Sequence, residues 1–292
     1  MKIGYACINM SLKKKFRTCR VATAEKEGVP KLKELTLENL RLTKEIIEWN
    51  IAHGIYFYRI SSDIVVLATH PVNTWDWAKD KDVQTICNDI KALQEKHGLR
   101  LSMHPGQYSV LNSPRAEVVE NTIADLNYHA TLMELTGATD MILHLGGKYG
   151  DKEEALARLM EQTKRLPAKI LQKLRFENDD KIFDLEDVLY VCEATGIPAC
   201  FDIHHHFCNP AMRELSALLP AVWKTWKQGE VPKVHISSGK EFPTDRRHHD
   251  YIFPDDFDRL MHYLNGADVD VMVEAKQKDI AALRLQQYIA ER

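Results

Sequence analysis

Short β-branched or aromatic runs alternate along the whole chain with longer stretches of helical periodicity, and the alternation repeats eight times. The strand segments fall at 2–9, 55–61, 99–104, 141–146, 174–178, 198–203, 233–237 and 269–275. Helices are predicted over 36–52, 82–97, 116–136, 152–173, 184–195, 210–228, 254–265 and 277–291, several opened by Thr, Asp or Pro at positions suited to a first turn. Each crossover helix must cover one outer face of a parallel sheet, so eight strict β-then-α units predict an α/β chain closed into a ring of strands, the TIM (β/α)8 barrel. A doubly wound open sheet more often has a glycine-rich turn after its first strand, and ACINMSLKKK has no glycine. No repeat or low-complexity linker divides the chain, which predicts a single domain over residues 1–292.

Composition agrees with one large core. Of 292 residues 45% are hydrophobic, with 13 Gly and 11 Pro. A formal charge of −3 argues against a wholly basic nucleic-acid binder and directs attention to local patches. Six cysteines lie scattered without a CxxC pair, so neither a zinc knuckle nor a disulfide framework is predicted. The N-terminus lacks a signal-type apolar core, and no run approaches the roughly 20 apolar residues of a membrane span. The expectation is a cytoplasmic protein with no membrane partner.

In such a barrel the active site lies at the carboxyl ends of the strands. Those ends deliver His70 (in the loop after strand two), His104, His144, Glu177, Asp202 with the run His204–His206, Lys233 and His235, His248 in the seventh loop, and Glu274. A lone strand-end histidine is usually an ordinary rim residue. Convergence of so many imidazoles and carboxylates would crowd negative charge unless cations were bound, and mixed His/Asp/Glu ligation suits zinc or manganese better than calcium.

The stretches HPGQY, FENDD, DIHHH, KVHISSGK and RRHHDY, with GYACIN at the start, RISSD after strand two and VMVEAK near the end, resemble the UV damage endonuclease family of TIM-barrel repair enzymes, itself similar to the trinuclear endonuclease IV. The resemblance implies a metal-dependent endonuclease that nicks DNA immediately 5′ to a UV photoproduct, leaving a 3′-hydroxyl and a 5′-phosphate. It implies the ligands His104, His144, Glu177, Asp202, His205, His235, His248 and Glu274, with His70 close by, holding two or three divalent ions, Mn²⁺ favoured and Zn²⁺ the alternative. His205 is selected by the D-x-x-H spacing of the family, and His248 over His249 by its R-x-H-x-D-Y pattern. Glu177 and Glu274, as carboxylates able to bridge ions, are expected to be catalytic.

The partner implied is double-stranded DNA carrying UV lesions, with no obligate protein partner. Residues 11–35, taken as the first rim loop, hold eight Lys/Arg against three Glu; Lys13, Lys14, Lys15 and Arg17 there, with Lys240, Arg246 and Arg247 in the seventh loop, are the expected phosphate contacts. Gln107 and Tyr108 follow a Pro-Gly turn and resemble the family's wedge into damaged DNA; Tyr5 and Asn9 are weaker candidates for lesion contacts. Lys233 shares a strand face with His235 and is expected in the metal rim, either as a carbamate formed with CO₂ or as an ammonium turned to the scissile phosphate. The competing readings are an abasic-site endonuclease, a metal-dependent sugar isomerase on the same barrel, and a non-catalytic binder of damaged DNA.

Overall fold

The computed structural model describes all 292 residues. Eight parallel strands, β1 (Ile3–Ala6), β2 (Phe57–Arg59), β3 (Arg100–Met103), β4 (Asp140–His144), β5 (Leu174–Glu177), β6 (Ala199–Asp202), β7 (Lys233–Ile236) and β8 (Asp270–Val273), pair in chain order, and β8 closes on β1. The predicted barrel is therefore the observed one. Its strands are shorter than the predicted segments because the flanking residues leave the ladder to start the rim loops; Ile8 and Asn9 already belong to the loop after β1.

The period-two alternation of these strands separates two environments. Tyr58, Leu101, Leu143, Phe176, Val234 and Val271 face outward into an apolar cluster of 62 buried residues beneath the helices. The lumen is polar and tiered. At the amino ends of the strands, Arg100 binds Asp140 (2.7 Å) and Asp270 (3.0 Å), Arg175 approaches Asp140 (3.5 Å), and both guanidinium groups lie over Trp226. Above them Lys233 Nζ donates to Ser102 Oγ (3.1 Å), joining β7 to β3 across the lumen. At the carboxyl ends stand Arg59, Glu177, His235 and Glu274. Buried charges persist only when compensated: the lowest tier and the rim do so with ion pairs of their own, and Lys233 between them has the Ser102 hydroxyl.

The helices are α1 (Val21–Ala52), α2 (Lys81–His97), α3 (Ala116–Thr136), α4 (Lys152–Thr163), α5 (Ala168–Leu171), α6 (Leu185–Thr195), α7 (Ile203–Cys208), α8 (Leu215–Thr225), α9 (Pro254–Leu264) and α10 (Lys278–Ala290). The largest departures from expectation are in α1, the α4–α5 pair and α7, and α8 is shorter than the predicted 210–228. α1 starts fifteen residues early, interrupted at Gly28 (φ 67°, ψ −162°), after which Pro30 is accommodated in the first turn of the resumed helix, where no amide hydrogen is needed. The first rim loop accordingly ends near residue 20 instead of 35. Pro167 divides the predicted 152–173 helix into α4 and α5. The histidine run forms α7, a helix absent from the prediction. No helix is long and apolar enough to cross a membrane, and all six cysteines are free.

Closure brings β1 hard against β2 at Gly4. A Cβ there would overlap the carbonyl oxygen of Phe57, which is backbone and cannot turn aside. Gly4→Ala is expected to destabilise the fold by about 1–3 kcal/mol, as overpacking does. Urea unfolding should show a lower midpoint at unchanged slope. An unaltered midpoint would mean that the seam yields freely.

Candidate metal centre

Glu177 ends β5 and is buried at the centre of the rim. Its Oε1 lies 2.5 Å from His235 Nδ1; its Oε2 lies 3.1 Å from His104 Nε2 and 3.5 Å from His144 Nε2. Three groups of side chains bring ligand-capable atoms within 4.8 Å of one another: His104–His144–Glu177, Glu177–Asp202–His205 and Glu177–His235–Glu274. Glu177 belongs to all three. Burial alone would raise its pKa, but the facing imidazoles of His235, His144 and His104 outweigh burial and hold the carboxyl well below its usual range.

Local folding explains why these members of the sequence point inward. Asp202 is the N-cap of α7, and its Oδ1 accepts from the backbone amide of His205 (2.7 Å), which is the physical content of the D-x-x-H spacing. Asn178 clasps the same junction, its side chain exchanging two hydrogen bonds of 2.9 Å with the backbone of Asp202. Its carbonyl lies 2.9 Å from His205 Nδ1 and orients that ring. The other two histidines of the run turn away: His204 Nε2 bonds the Asp245 carbonyl (3.1 Å), and His206 packs between Phe201 and Phe207. In the seventh loop His249 accepts from the Tyr251 amide and lies against Phe253, whereas the His248 ring stands 6.4 Å from that of His205, at the edge of the centre and outside the three groups.

The residues fit a cation on their own chemistry. His104 Nδ1 lies 2.9 Å from the Pro105 carbonyl and Nε2 lies 3.1 Å from the Glu177 carboxylate, so both nitrogens face acceptors. A neutral imidazole has one N–H for the two. Burial pulls the His104 pKa down to about 4, which disfavours supplying a second proton. A positive ion at the remaining nitrogen resolves the conflict. Asp202 Oδ2 and His144 Nδ1 are also buried without a hydrogen-bond partner in the protein. His205 responds to the same field in the other direction: burial opposes its protonation, yet Asp202, Glu177 and Glu274 together lift its pKa to about 9.

Several expected site residues are placed elsewhere. His70 is exposed, and its Nδ1 accepts from the Val72 amide in a turn that keeps it out of the three groups. Lys233 lies one tier below the rim, with Nζ on Ser102 and 5.4 Å from the centre of the Phe57 ring, because two residues of β7 separate it from the level of His235. Burial, then Arg59, lowers its pKa to about 7. Tyr5 and Asn9 cannot meet a lesion as placed. Tyr5 points outward from the lumen, fully buried, donating to Asn50 (2.7 Å) and accepting from buried Asn9 (2.9 Å). Arg59, which nothing in the sequence singled out beyond its place in RISSD, is buried at the rim with Nη2 2.6 Å from Glu274 Oε1 and 3.0 Å from His235 Nε2.

Around the mouth, Gln107 and Tyr108 stand in solvent, Tyr108 with 83% of its surface exposed. The basic candidates divide. Lys14 is engaged by Glu45, Arg17 lies at 4.0 Å from Glu38, Arg246 lies at 3.4 Å from Asp180, and Arg247 is held by Asp245 and Glu241. Lys13, Lys15 and Lys240 are exposed. Of the other cations counted in the loop, Lys31 and Lys33 lie on α1 and pair with Glu34 and with Asp80 and Asp82.

The chain matches the UV-endonuclease UvdE family over residues 1–292. It is 37% identical over 298 residues to a UV DNA damage endonuclease of Bacillus cereus (strain G9842), covering 98% of this chain and 93% of that one. The crystal structure of SacUVDE superposes with a TM-score of 0.90 at 36% identity, over 100% of this chain and 98% of the other. Endonuclease IV from Thermus thermophilus superposes with a TM-score of 0.60 at 18% identity over 85% of this chain and 94% of its own, a likeness of fold. Whole-length matches of sequence and structure agree: the chain belongs to the UV-endonuclease UvdE family.

Proposed function

We propose that this protein is a metal-dependent endonuclease that nicks duplex DNA immediately 5′ to cyclobutane dimers and 6-4 photoproducts, leaving a 3′-hydroxyl and a 5′-phosphate, and that it acts in the cytoplasm at the nucleoid. The observation that carries this reading is the convergence on Glu177 of three ligand-capable groups, at the carboxyl-terminal rim of a barrel whose family is one of UV endonucleases. His104, His144, Glu177, Asp202, His205, His235 and Glu274 would hold two or three divalent ions, Mn²⁺ by preference, with His248 at the margin. When bound, such ions stabilise charge on the phosphoryl group and acidify the attacking water.

The protein's own residues have separable tasks. Glu177 orients three imidazoles at once, and Asn178 and the α7 N-cap fix Asp202 and His205. Lys13, Lys15 and Lys240 offer cations to phosphates. Tyr108 and Gln107 project from the rim, where insertion costs less at a lesion that has already lost stacking and pairing. Selection by deformability accommodates lesions of unlike chemistry. Lys233 supports the ligands from beneath, as carbamate or amine.

Purified protein with Mn²⁺, given an end-labelled duplex containing one cyclobutane dimer, is expected to yield a single nick just 5′ of the dimer. Cleavage of an abasic duplex alone, or of nothing with any divalent ion, would reject the assignment.

Glu177→Ala and Glu274→Ala are expected to abolish cleavage while leaving most DNA affinity in gel-shift titrations, since both act on chemistry more than on docking. Lys233→Ala should slow cleavage severely; recovery of acid-inactivated wild type with bicarbonate would mark the carbamate form. Near-normal rates for either glutamate variant at saturating metal would show that the reacting centre lies elsewhere.

Gln107→Ala and Tyr108→Ala should narrow the preference for damaged over intact duplex with little loss of general affinity, and charge reversal at Lys13–Lys15 should do the opposite. Competition binding at two salt concentrations checks this. Equal losses on both duplexes in both variants would end the division of labour.

A further inference from the structure

The three groups that meet at Glu177 are not equivalent in what their atoms already do. In the groups containing His104 and Asp202 there is unmet demand: His104 stands between two acceptors, and Asp202 Oδ2 has no partner. In the Glu177–His235–Glu274 group the demand is met. A guanidinium can only donate. With Arg59 Nη2 3.0 Å from His235 Nε2, that nitrogen is the acceptor, the ring proton sits on Nδ1, and Nδ1 donates to Glu177 Oε1 at 2.5 Å. The one lone pair of the neutral ring is thereby engaged. The same Nη2 lies 2.6 Å from Glu274 Oε1, so two of the three members of the group already serve a fixed positive charge.

Arg59 is held there through Nη2 and its backbone, while its Nε is buried without a hydrogen-bond partner. It ends β2, only 6% exposed, and its carbonyl accepts from the amide of Cys7 (2.8 Å), tying β2 to the loop after β1. Of the three carboxylates of the centre, Glu177, Asp202 and Glu274, only Glu274 pairs with a permanent cation, placed at one side of the cluster. A divalent ion entering that side must take the guanidinium's place on the His235 lone pair and must then sit beside it in a poorly screening interior, where like charges repel strongly.

We propose that Arg59 is the resident cation of the Glu177–His235–Glu274 group, so that metal ions bind in order, filling the His104 and Asp202 groups first and this group last. The inference rests on the metal-centre reading above and adds to it the sequence of loading and the residue that imposes it. Arg59 is a positioning residue in this account. It keeps His235 and Glu274 in place before the last ion arrives, and it weakens the hold on that ion.

Equilibrium dialysis of Mn²⁺ against the metal-stripped full-length protein, without DNA, reads this directly. Wild type should bind two ions tightly and a third at least about ten-fold more weakly, a floor that even well-screened repulsion between neighbouring cations exceeds. Arg59→Met should bring the third step to within a few-fold of the others and leave the first two unchanged. His235→Gln, which keeps Arg59 and the other two groups, should delete the weak step alone. Three equal steps in wild type, a weak step that survives in Arg59→Met, or loss of a tight step in His235→Gln would overturn the ordering. Wild type that stops at two ions upholds it if Arg59→Met gains a third and overturns it otherwise. Failure of wild type to bind any ion would instead overturn the metal-centre reading, and the ordering with it.

Discussion

A carboxylate buried at the carboxyl end of β5 is tenable only if positive or polarisable groups surround it, and the rim is built to that requirement. Glu177 draws in His104 from just after β3, His144 from β4 and His235 from β7, and lies 3.8 Å from His205 Nδ1 at the start of α7. Four elements are thus ordered around one side chain. The centre inherits its shape from the register of the strands: His144 stands opposite Glu177 in the β4–β5 ladder, and Asp202 opposite His235 in the β6–β7 ladder. Moving any of these strands by one residue would turn its polar atoms out into the apolar layer beneath the helices.

The same low-dielectric surroundings drive neighbouring groups in opposite directions. His104 and His205 stand one on each side of Glu177, yet burial takes the first down to about 4 while the combined field of Asp202, Glu177 and Glu274 takes the second up to about 9. Distance from the carboxylates decides less than their number. His205 sees three, whereas for His104 the favourable contribution of Glu177 is opposed by burial, Arg59 and His144. In the metal-free protein, burial keeps one imidazole neutral while the carboxylates favour a proton on the other, and a bound ion would have to displace that proton.

How much of this was legible in the sequence follows from the range over which each signal acts. The eightfold alternation depends on hydrophobic periodicity, a local property, and the barrel and most helix limits follow from it; α3 begins and ends at the predicted residues 116 and 136. Strand-end carboxylates and imidazoles are placed by topology, which is why Glu177, Asp202, His205, His235 and Glu274 converge as expected. Depth within the lumen is a different quantity. Alternation assigns Lys233 to the same face as His235 but is silent about the tier, and the tier separates a rim group from one bonded to Ser102. Arg59 was invisible because an arginine in a short aromatic strand has no local signature; its meaning comes from β7 and β8, 176 residues away in the case of His235. Tyr5 failed for the plainest reason, a parity of one residue that sends its side chain to the helix layer. In the helices, residues 21–35 fall in the predicted first rim loop yet form the start of α1, kinked at Gly28.

The lowest tier of the lumen carries a consequence for how the chain reaches this state. Arg100 on β3 is neutralised by Asp140 on the adjacent β4 and also by Asp270 on β8, a partner 170 residues later. Until the last strand docks, the early strands would have to dehydrate a guanidinium with half its complement of carboxylates, a costly state for an interior charge. A nascent half-barrel made of β1–β4 therefore has little reason to become dry and compact before β8 is available. The ring of strands should close in one cooperative event late in synthesis, with the polar lumen acting as a lock against premature collapse of partial barrels.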